Sequence, residues 1–221
     1  MNRLCLMLAI IFLTGCVAQE VKRDQSAYIA AAPRSILVVP IVNKSLEVDA
    51  SNYMLTTLPT ALGEKGYYVF PVHTTKFVLE HEGFYESEKI HQQPTAELAK
   101  LFGADAVLYL TINRWDAQYA IITTSVTVEV QYRMVAKDGT EIWQDSRKIV
   151  YTPQNSGGHP LAQLIVAVIN AAVTRAAPNY MPLARMANGQ ALVTGINAPP
   201  NGPYYLKPTN PSANTTSQAA Q

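Results

Sequence analysis

The sequence is poor in cysteine, and its two cysteines lie close to the amino terminus. They are Cys5 and Cys16, and no cysteine follows in the rest of the 221-residue chain. A domain that begins after residue 16 therefore has no disulfide framework, no thiolate metal site and no cysteine nucleophile. Hydrophobic residues make up 48% of the chain, which is enough to form a core without such cross-links.

The amino-terminal apolar run is too short to span a membrane. Leu4 to Leu13 has about ten residues, whereas a membrane-spanning helix needs roughly 20. Arg3 gives the run a positive start, and the small pair Thr14-Gly15 lets a peptidase approach the bond before Cys16. This order predicts a secretory signal over residues 1–15. The alternative is an ordinary signal peptide in which Cys16 is coincidental.

The chain also lacks an excess of charge of either sign. It has 17 Lys and Arg against 16 Asp and Glu. Lys22-Arg23 is followed at once by Asp24, so the basic residues do not form a cluster. Because binding to nucleic acid needs a clustered basic surface, nucleic acid is excluded as a partner.

Reactive residues are not spaced as catalytic motifs require. The four histidines are His73, His81, His91 and His159. No two of them lie one helical turn apart, which excludes a zinc-binding His-x-x-x-His face. Ser156-Gly157-Gly158-His159 lacks the glycine spacing and the lysine of a phosphate-binding loop, and no Gly-x-Ser-x-Gly elbow is present. The sequence predicts no catalytic, cofactor-binding or metal-binding residue.

One alternative to this negative result is a metal-dependent enzyme that uses the region from His73 to His91. Four acidic residues lie in this region: Glu80, Glu82, Glu86 and Glu88. Lys76 and Lys89 alternate with them, which is more typical of a solvated charged surface.

The first half of the chain alternates strand and helix patterns. The predicted order is a strand at 35–40, a helix from 49 to 66, a strand at 67–72, helices at 75–81 and 94–103, and a strand from 106 to 112 or 115. The first strand is apolar on both faces, which is typical of a central strand covered on both sides. This β-α-β-α-α-β order favours parallel or mixed strands with helices on at least one face.

The second half begins with a long antiparallel hairpin. Residues 123–135 alternate between an apolar and a polar face, Lys137-Asp138-Gly139 supplies the turn, and residues 141–151 return as a possible edge strand. An apolar helix is predicted from Pro160 to Ala176, packed in the core or, as the alternative, against a partner. Order is expected to fade from Pro178 to Val193.

These patterns predict an α/β fold, a single sandwich domain with a mixed β-sheet that includes the long hairpin and is packed by helices. The predicted divisions are a signal peptide at 1–15, a lipidated tether at 16–34, the domain at 35–196 and a largely disordered tail at 197–221. Tyr204-Tyr205 are expected to dock the tail onto the domain, with a partner protein as the alternative.

Three groups of residues resemble known bacterial proteins. Leu13-Thr14-Gly15-Cys16 resembles the lipobox of bacterial lipoproteins, which implies a diacylglycerol on the thiol and an acyl chain on the new amine of Cys16. Ile36 to Asn43 and Gly103 to Ile112 are similar to the CsgG-like and TolB amino-terminal group. With Gly83-Phe84-Tyr85 and the segment from Asn201 to Tyr205, the chain resembles a family of bacterial lipoproteins of unknown function, known in Neisseria as a vaccine candidate.

The resemblance implies a TolB-like α/β sandwich and a supporting role in an envelope transport or secretion assembly beside other lipoproteins, without catalytic residues. Val17, rather than Asp, follows the anchor, which favours the outer membrane in a Gram-negative host. We therefore expect a non-enzymatic lipoprotein of the outer membrane whose domain faces the periplasm. Its expected partners are other envelope proteins, and a homo-oligomer is a further possibility. The alternative is a peptidoglycan-binding module or an activator of a cell-wall enzyme.

Overall fold

The computed structural model describes residues 22–119, 124–151 and 180–207. Several predictions lie outside these residues: the signal peptide, lipidation of Cys16, the helix at 160–176, the loop at 156–159 and the last part of the tail.

Six strands and six helices are formed by the described residues. The strands are β1 (Ser35–Val38), β2 (Val42–Asn43), β3 (Tyr68–Val69), β4 (Ala106–Tyr119), β5 (Thr124–Ala136) and β6 (Glu141–Tyr151). The helices are α1 (Ser26–Ala31), α2 (Ala50–Glu64), α3 (Val72–His81), α4 (Ser87–His91), α5 (Thr95–Phe102) and α6 (Met181–Gly189), which continues as a π-helix over Gln190–Thr194. Helix α2 runs through Pro59, where the sequence predicts a kink or a late start.

The strands form one mixed sheet in the order β3-β1-β4-β5-β6, with β2 also paired to β4. Strand β1 is parallel to both β3 and β4, whereas β4, β5 and β6 are antiparallel. The predicted fold class, an α/β domain with a mixed sheet and a long hairpin, is confirmed.

Helices cover both faces of β1. Ile36 and Val38 point into the larger core, and Leu37 and Val39 point into the smaller core on the opposite face. Helices α2 and α6 pack on the larger core, while α3, α4 and α5 supply apolar residues to the smaller core. This arrangement explains why the residues that follow Ser35 in the strand are apolar on both faces.

The hairpin buries one face and leaves most of the other face polar. Its apolar alternation is confirmed by five buried side chains on β5: Val126, Val128, Val130, Tyr132 and Met134. On the opposite face, the register aligns Tyr109, Arg133 and Gln144 in one row across three strands. Thr111, Gln131 and Ser146 form the next row.

Helix α6 and its π-helical extension correct the prediction that order fades before Val193. The buried residues of this element are Leu183, Ala184, Ala187, Asn188, Ala191 and Leu192. They recur at helical spacing, but half of them are alanines, whose small side chains give a weak apolar signal and allow close packing. Asn188 ties the helix to the core, because its amide donates to Thr57 Oγ1 (2.7 Å) and accepts from the Tyr132 hydroxyl (3.0 Å).

Both ends of the folded part extend beyond the predicted boundaries. Helix α1 lies within the predicted tether, and its Tyr28 is buried in the larger core. At the other end, the Tyr67 hydroxyl donates to the Pro200 carbonyl, and the Tyr204 amide donates to the Gly66 carbonyl (3.0 Å). The tail therefore docks on its own domain, as expected, but through its backbone, since the Tyr204 side chain is 59% exposed. A side chain at Gly66, where φ is +80°, would collide with the Tyr205 backbone.

Candidate binding groove at the end of β1

A groove of about 530 Å³ opens beyond the carboxyl end of β1, between α2 and α3. Its floor includes Val38, Pro40 and Ile41. The groove forms here because β3 pairs only with Ser35 and Ile36, so β1 continues past its short neighbour. Since α2 and α3 pack on opposite faces of the sheet, they diverge at this point, as they do at the ligand-binding crevices of other open α/β sheets.

The two helices give the groove polar walls. Helix α2 contributes Ser51, Asn52, Leu55 and Thr56, and α3 contributes Val72, His73, Lys76 and Glu80. Most of the α3 residues recur every fourth position, so they share one face of that helix. The wall charges include an exposed pair in which Lys76 Nζ lies 3.8 Å from a Glu80 carboxylate oxygen. Such a pair contributes little to stability and remains accessible to a ligand.

An exposed aromatic side chain lies at the rim of the groove. Tyr85 lines it and is 77% exposed. A second aromatic residue, Phe77, is 69% exposed on α3 next to Lys76 in sequence, although it is not itself a lining residue. An apolar floor, polar walls and exposed aromatic rings are typical of a site that binds another molecule by contact.

The structure separates the histidines that the metal-enzyme alternative requires. His73 lines the groove and His81 ends α3, both exposed, whereas His91 is half-buried and contacts the ring of Tyr109. His91 Nε2 lies 3.0 Å from the Pro40 carbonyl, which can only accept, so this nitrogen carries a proton. Burial lowers the pKa of His91, and the nearby Arg133 lowers it further.

Glu86, one of the four acids, pairs with Lys89 at 2.7 Å rather than with a histidine. Within residues 22–119, 124–151 and 180–207, no three His, Cys, Asp or Glu side chains converge where they could hold a metal ion. The described residues from His73 to His91 therefore offer no metal-binding site that would support the metal-enzyme hypothesis. None of the helices in these residues is long and apolar enough to cross a membrane.

The sequence pattern indicates a solvated charged surface for the residues of the α3 wall, and it does not predict the groove. The repeat of Val72, Lys76 and Glu80 was visible as a shared helix face. The opposing wall and the floor come from other segments, and only the fold brings them together.

Taken together, a mixed sheet with helices on both faces and a groove at a strand end defines an α/β domain with a candidate binding site. The chain belongs to the family described as "Putative lipoprotein GNA1162-like", whose model matches residues 23–202. The family resemblance inferred from the motifs is thus confirmed.

Two proteins of Neisseria meningitidis agree with this assignment. A lipoprotein of Neisseria meningitidis is 33% identical over 164 residues, which cover 73% of this chain and 76% of the relative. The crystal structure of lipoprotein GNA1162 from Neisseria meningitidis aligns with a TM-score of 0.54 and 35% identity, over 64% of this chain and 99% of that one. The PelC dodecamer from Paraburkholderia phytofirmans aligns with a TM-score of 0.42 and 16% identity, over 76% and 98%.

Proposed function

We propose that this protein is a lipid-anchored, non-enzymatic component of the cell envelope whose groove binds another envelope protein. Family membership and the name of the Neisseria relative support a lipoprotein. In this chain, Cys16 is the residue placed to carry the lipid. Two or more acyl chains on Cys16 give stable anchoring, at about 0.8 kcal/mol per buried methylene.

The proposed location is the outer membrane with the domain in the periplasm, which Val17 after the anchor favours. There the protein would act as an accessory or structural component of a transport or secretion assembly, beside other lipoproteins or further copies of itself. Intact mass of the membrane-extracted protein tests the anchor. We expect a mature chain that begins at Cys16 and carries acyl groups, and a Cys16→Ser variant without them.

The observation that supports protein binding is the groove. Its apolar floor suits an inserted apolar side chain, and Ser51, Asn52 and Thr56 offer hydrogen bonds to the backbone around it. The exposed aromatics Tyr85 and Phe77 are the side-chain type that dominates protein interfaces.

The test is in-cell cross-linking followed by isolation of the lipid-anchored protein. We expect one defined envelope protein to be recovered with the wild type and lost with Tyr85→Ala. Tyr204→Ala is the matched control, because Tyr204 is 59% exposed and does not line the groove. Recovery that is unchanged by Tyr85→Ala would contradict binding in the groove.

A peptidoglycan-binding or enzyme-activating role is the second candidate. Tyr85 lies beside Asn52, His73 and Glu80 at the groove, and sugars stack on aromatic rings while bonding to such polar groups. Co-sedimentation with purified peptidoglycan separates the two functions. Sedimentation that Tyr85→Ala abolishes would replace the protein partner with glycan.

A further inference from the structure

A second cavity lies on the open face of the sheet and adjoins the groove. His91 lines this cavity, and its Nε2 lies 3.0 Å from the carbonyl of Pro40, which lines the groove. This arginine cleft, defined by Arg23, Arg133 and the two polar rows between β4 and β6, has a volume of about 250 Å³. Its floor includes Thr111, Gln131 and Ser146, which the strand register places side by side. All three side chains can donate a hydrogen bond.

An aromatic ring holds the Arg133 guanidinium in place. Its Cζ lies 4.4 Å from the centroid of the Tyr109 ring, and the Tyr109 hydroxyl bonds to Thr95 Oγ1 at 2.9 Å. A ring positions a guanidinium without neutralising it. Across the described part of the chain, no ion pair involves Arg133.

Arg23 is held by neutral groups as well. Its side chain donates to the Gln144 carbonyl at 2.7 Å, and its backbone amide donates to Asn197 Oδ1 at 2.8 Å. Asp145 is the acidic residue that lines the cleft, but its side chain is only 2% exposed and is bound to Arg147. The charge of Arg23 also acts on the Asp145 carboxylate. Because that carboxylate is buried, two arginine residues line one cavity without an accessible carboxylate.

Other cationic side chains on the open face of the sheet are paired with carboxylates, unlike Arg133. Arg114 pairs with Asp116 at 2.8 Å, and Lys148 pairs with Glu129 at 2.9 Å. The excess positive charge is thus confined to the arginine cleft. A guanidinium presents planar pairs of N–H groups that match the oxygens of a phosphate, and Thr111, Gln131 and Ser146 can bond to the oxygens that remain.

The position of Arg23 indicates the source of the phosphate. Arg23 follows Cys16 by only seven positions, and a fully extended chain of that length spans at most about 25 Å. A lipid on Cys16 therefore holds the cleft close to the headgroups of the bilayer. We propose that the arginine cleft binds the phosphate of an anionic membrane lipid. The choice of a lipid as the source rests on the proposed anchor at Cys16, whereas the phosphate chemistry does not.

The test uses the full mature chain with Cys16→Ser, so that binding does not depend on an acyl anchor. The probes are vesicles of phosphatidylcholine with and without phosphatidylglycerol, and free glycerol phosphate. We expect sedimentation with the phosphatidylglycerol vesicles. Arg133→Gln and Arg23→Gln should each weaken it about tenfold, because each removes a charge-assisted hydrogen bond. Two separate variants guard against misfolding of either one.

Arg114→Gln is the matched control, because it removes the same charge from the same sheet outside the cleft and should leave binding unchanged. An equal loss with Arg114→Gln, or no loss with either cleft variant, would overturn the site. Binding of glycerol phosphate without preference for the vesicles would overturn the lipid as its source. Failure of the proposed function would show in two other measurements. Intact mass of the wild type tests the lipid anchor, and cross-linking of the Tyr85→Ala variant tests binding in the groove.

Discussion

The parallel and antiparallel halves of the sheet offer binding surfaces in different places. Around β1, helices cover both faces, so the accessible site is the groove at the strand's end. Around β5, only one face enters the larger core, so the opposite face itself lines the arginine cleft. Parallel strands buried on both sides leave ligands only their ends, whereas an antiparallel hairpin leaves a face free. One small domain thereby offers two candidate sites of different chemistry.

The largest contrast that we predict is in stability. Leu37, on β1, is fully buried in the smaller core, so Leu37→Ala should cost about 2–5 kcal/mol through the cavity that it leaves. Gln131→Ala, on the open face of β5, should change the free energy of unfolding by less than about 0.5 kcal/mol. Urea unfolding of both variants measures the difference, and similar losses would show that the two halves are covered alike.

The next effect concerns the buried polar link between α6 and the hairpin. Asn188→Leu should cost about 3 kcal/mol, because it leaves the buried Tyr132 hydroxyl without its acceptor and removes the amide's bonds to Thr57 Oγ1 and the Met54 carbonyl. Adding Tyr132→Phe should recover part of this loss, since one orphaned hydroxyl is then removed. A double variant whose loss equals the sum of the single losses would show that the two residues are not coupled.

A smaller effect is expected in the pH dependence of stability, through His91. Burial depresses its pKa below the ordinary value of 6.5, so near and below that pH the unfolded chain binds more protons than the folded chain. The contribution of neutral His91 is therefore complete above about pH 6.5 and declines as the pH falls. Thermal unfolding from pH 8 to 5 should show a shallower decline for His91→Gln, and equal slopes would contradict the assignment.

The smallest effect should come from the charged wall of the groove. Lys76→Ala breaks an exposed pair with Glu80, so it should change stability by less than about 0.5 kcal/mol. The free energy of partner binding should change by more than the free energy of unfolding does. If Lys76→Ala changes the free energy of unfolding but leaves recovery of the partner protein unchanged, the Lys76–Glu80 pair acts in stability and not in binding.

Local sequence patterns predicted the elements that depend on local information. The continuous apolar run of β1, the alternation of β5 and the Pro94 and Gly103 boundaries of α5 could all be read from neighbouring residues. The two-residue strands β2 and β3 are too short to show a period. Helix α6 was missed because alanine gives little contrast between a buried and an exposed face.

Neither site could be predicted, because each combines segments that are distant in sequence. The arginine cleft needs Arg23 to return beside β6, and Asn197 and Gln144 hold it there through bonds across the fold. Sequence alone placed Arg23 in a tether. The groove requires that β3 be short, and β3 spans only Tyr68–Val69. A strand that extended over 67–72, as the sequence predicts, would occupy the place of the groove.

The most direct test of two different sites is photo-cross-linking from one position in each, in the membrane-bound protein. Position 52 reports the groove and position 131 reports the arginine cleft, and each carries a photoreactive residue in a separate variant. We predict a protein adduct from position 52 and a phospholipid adduct from position 131. The same adduct from both positions, or a lipid adduct from position 52 alone, would contradict the account.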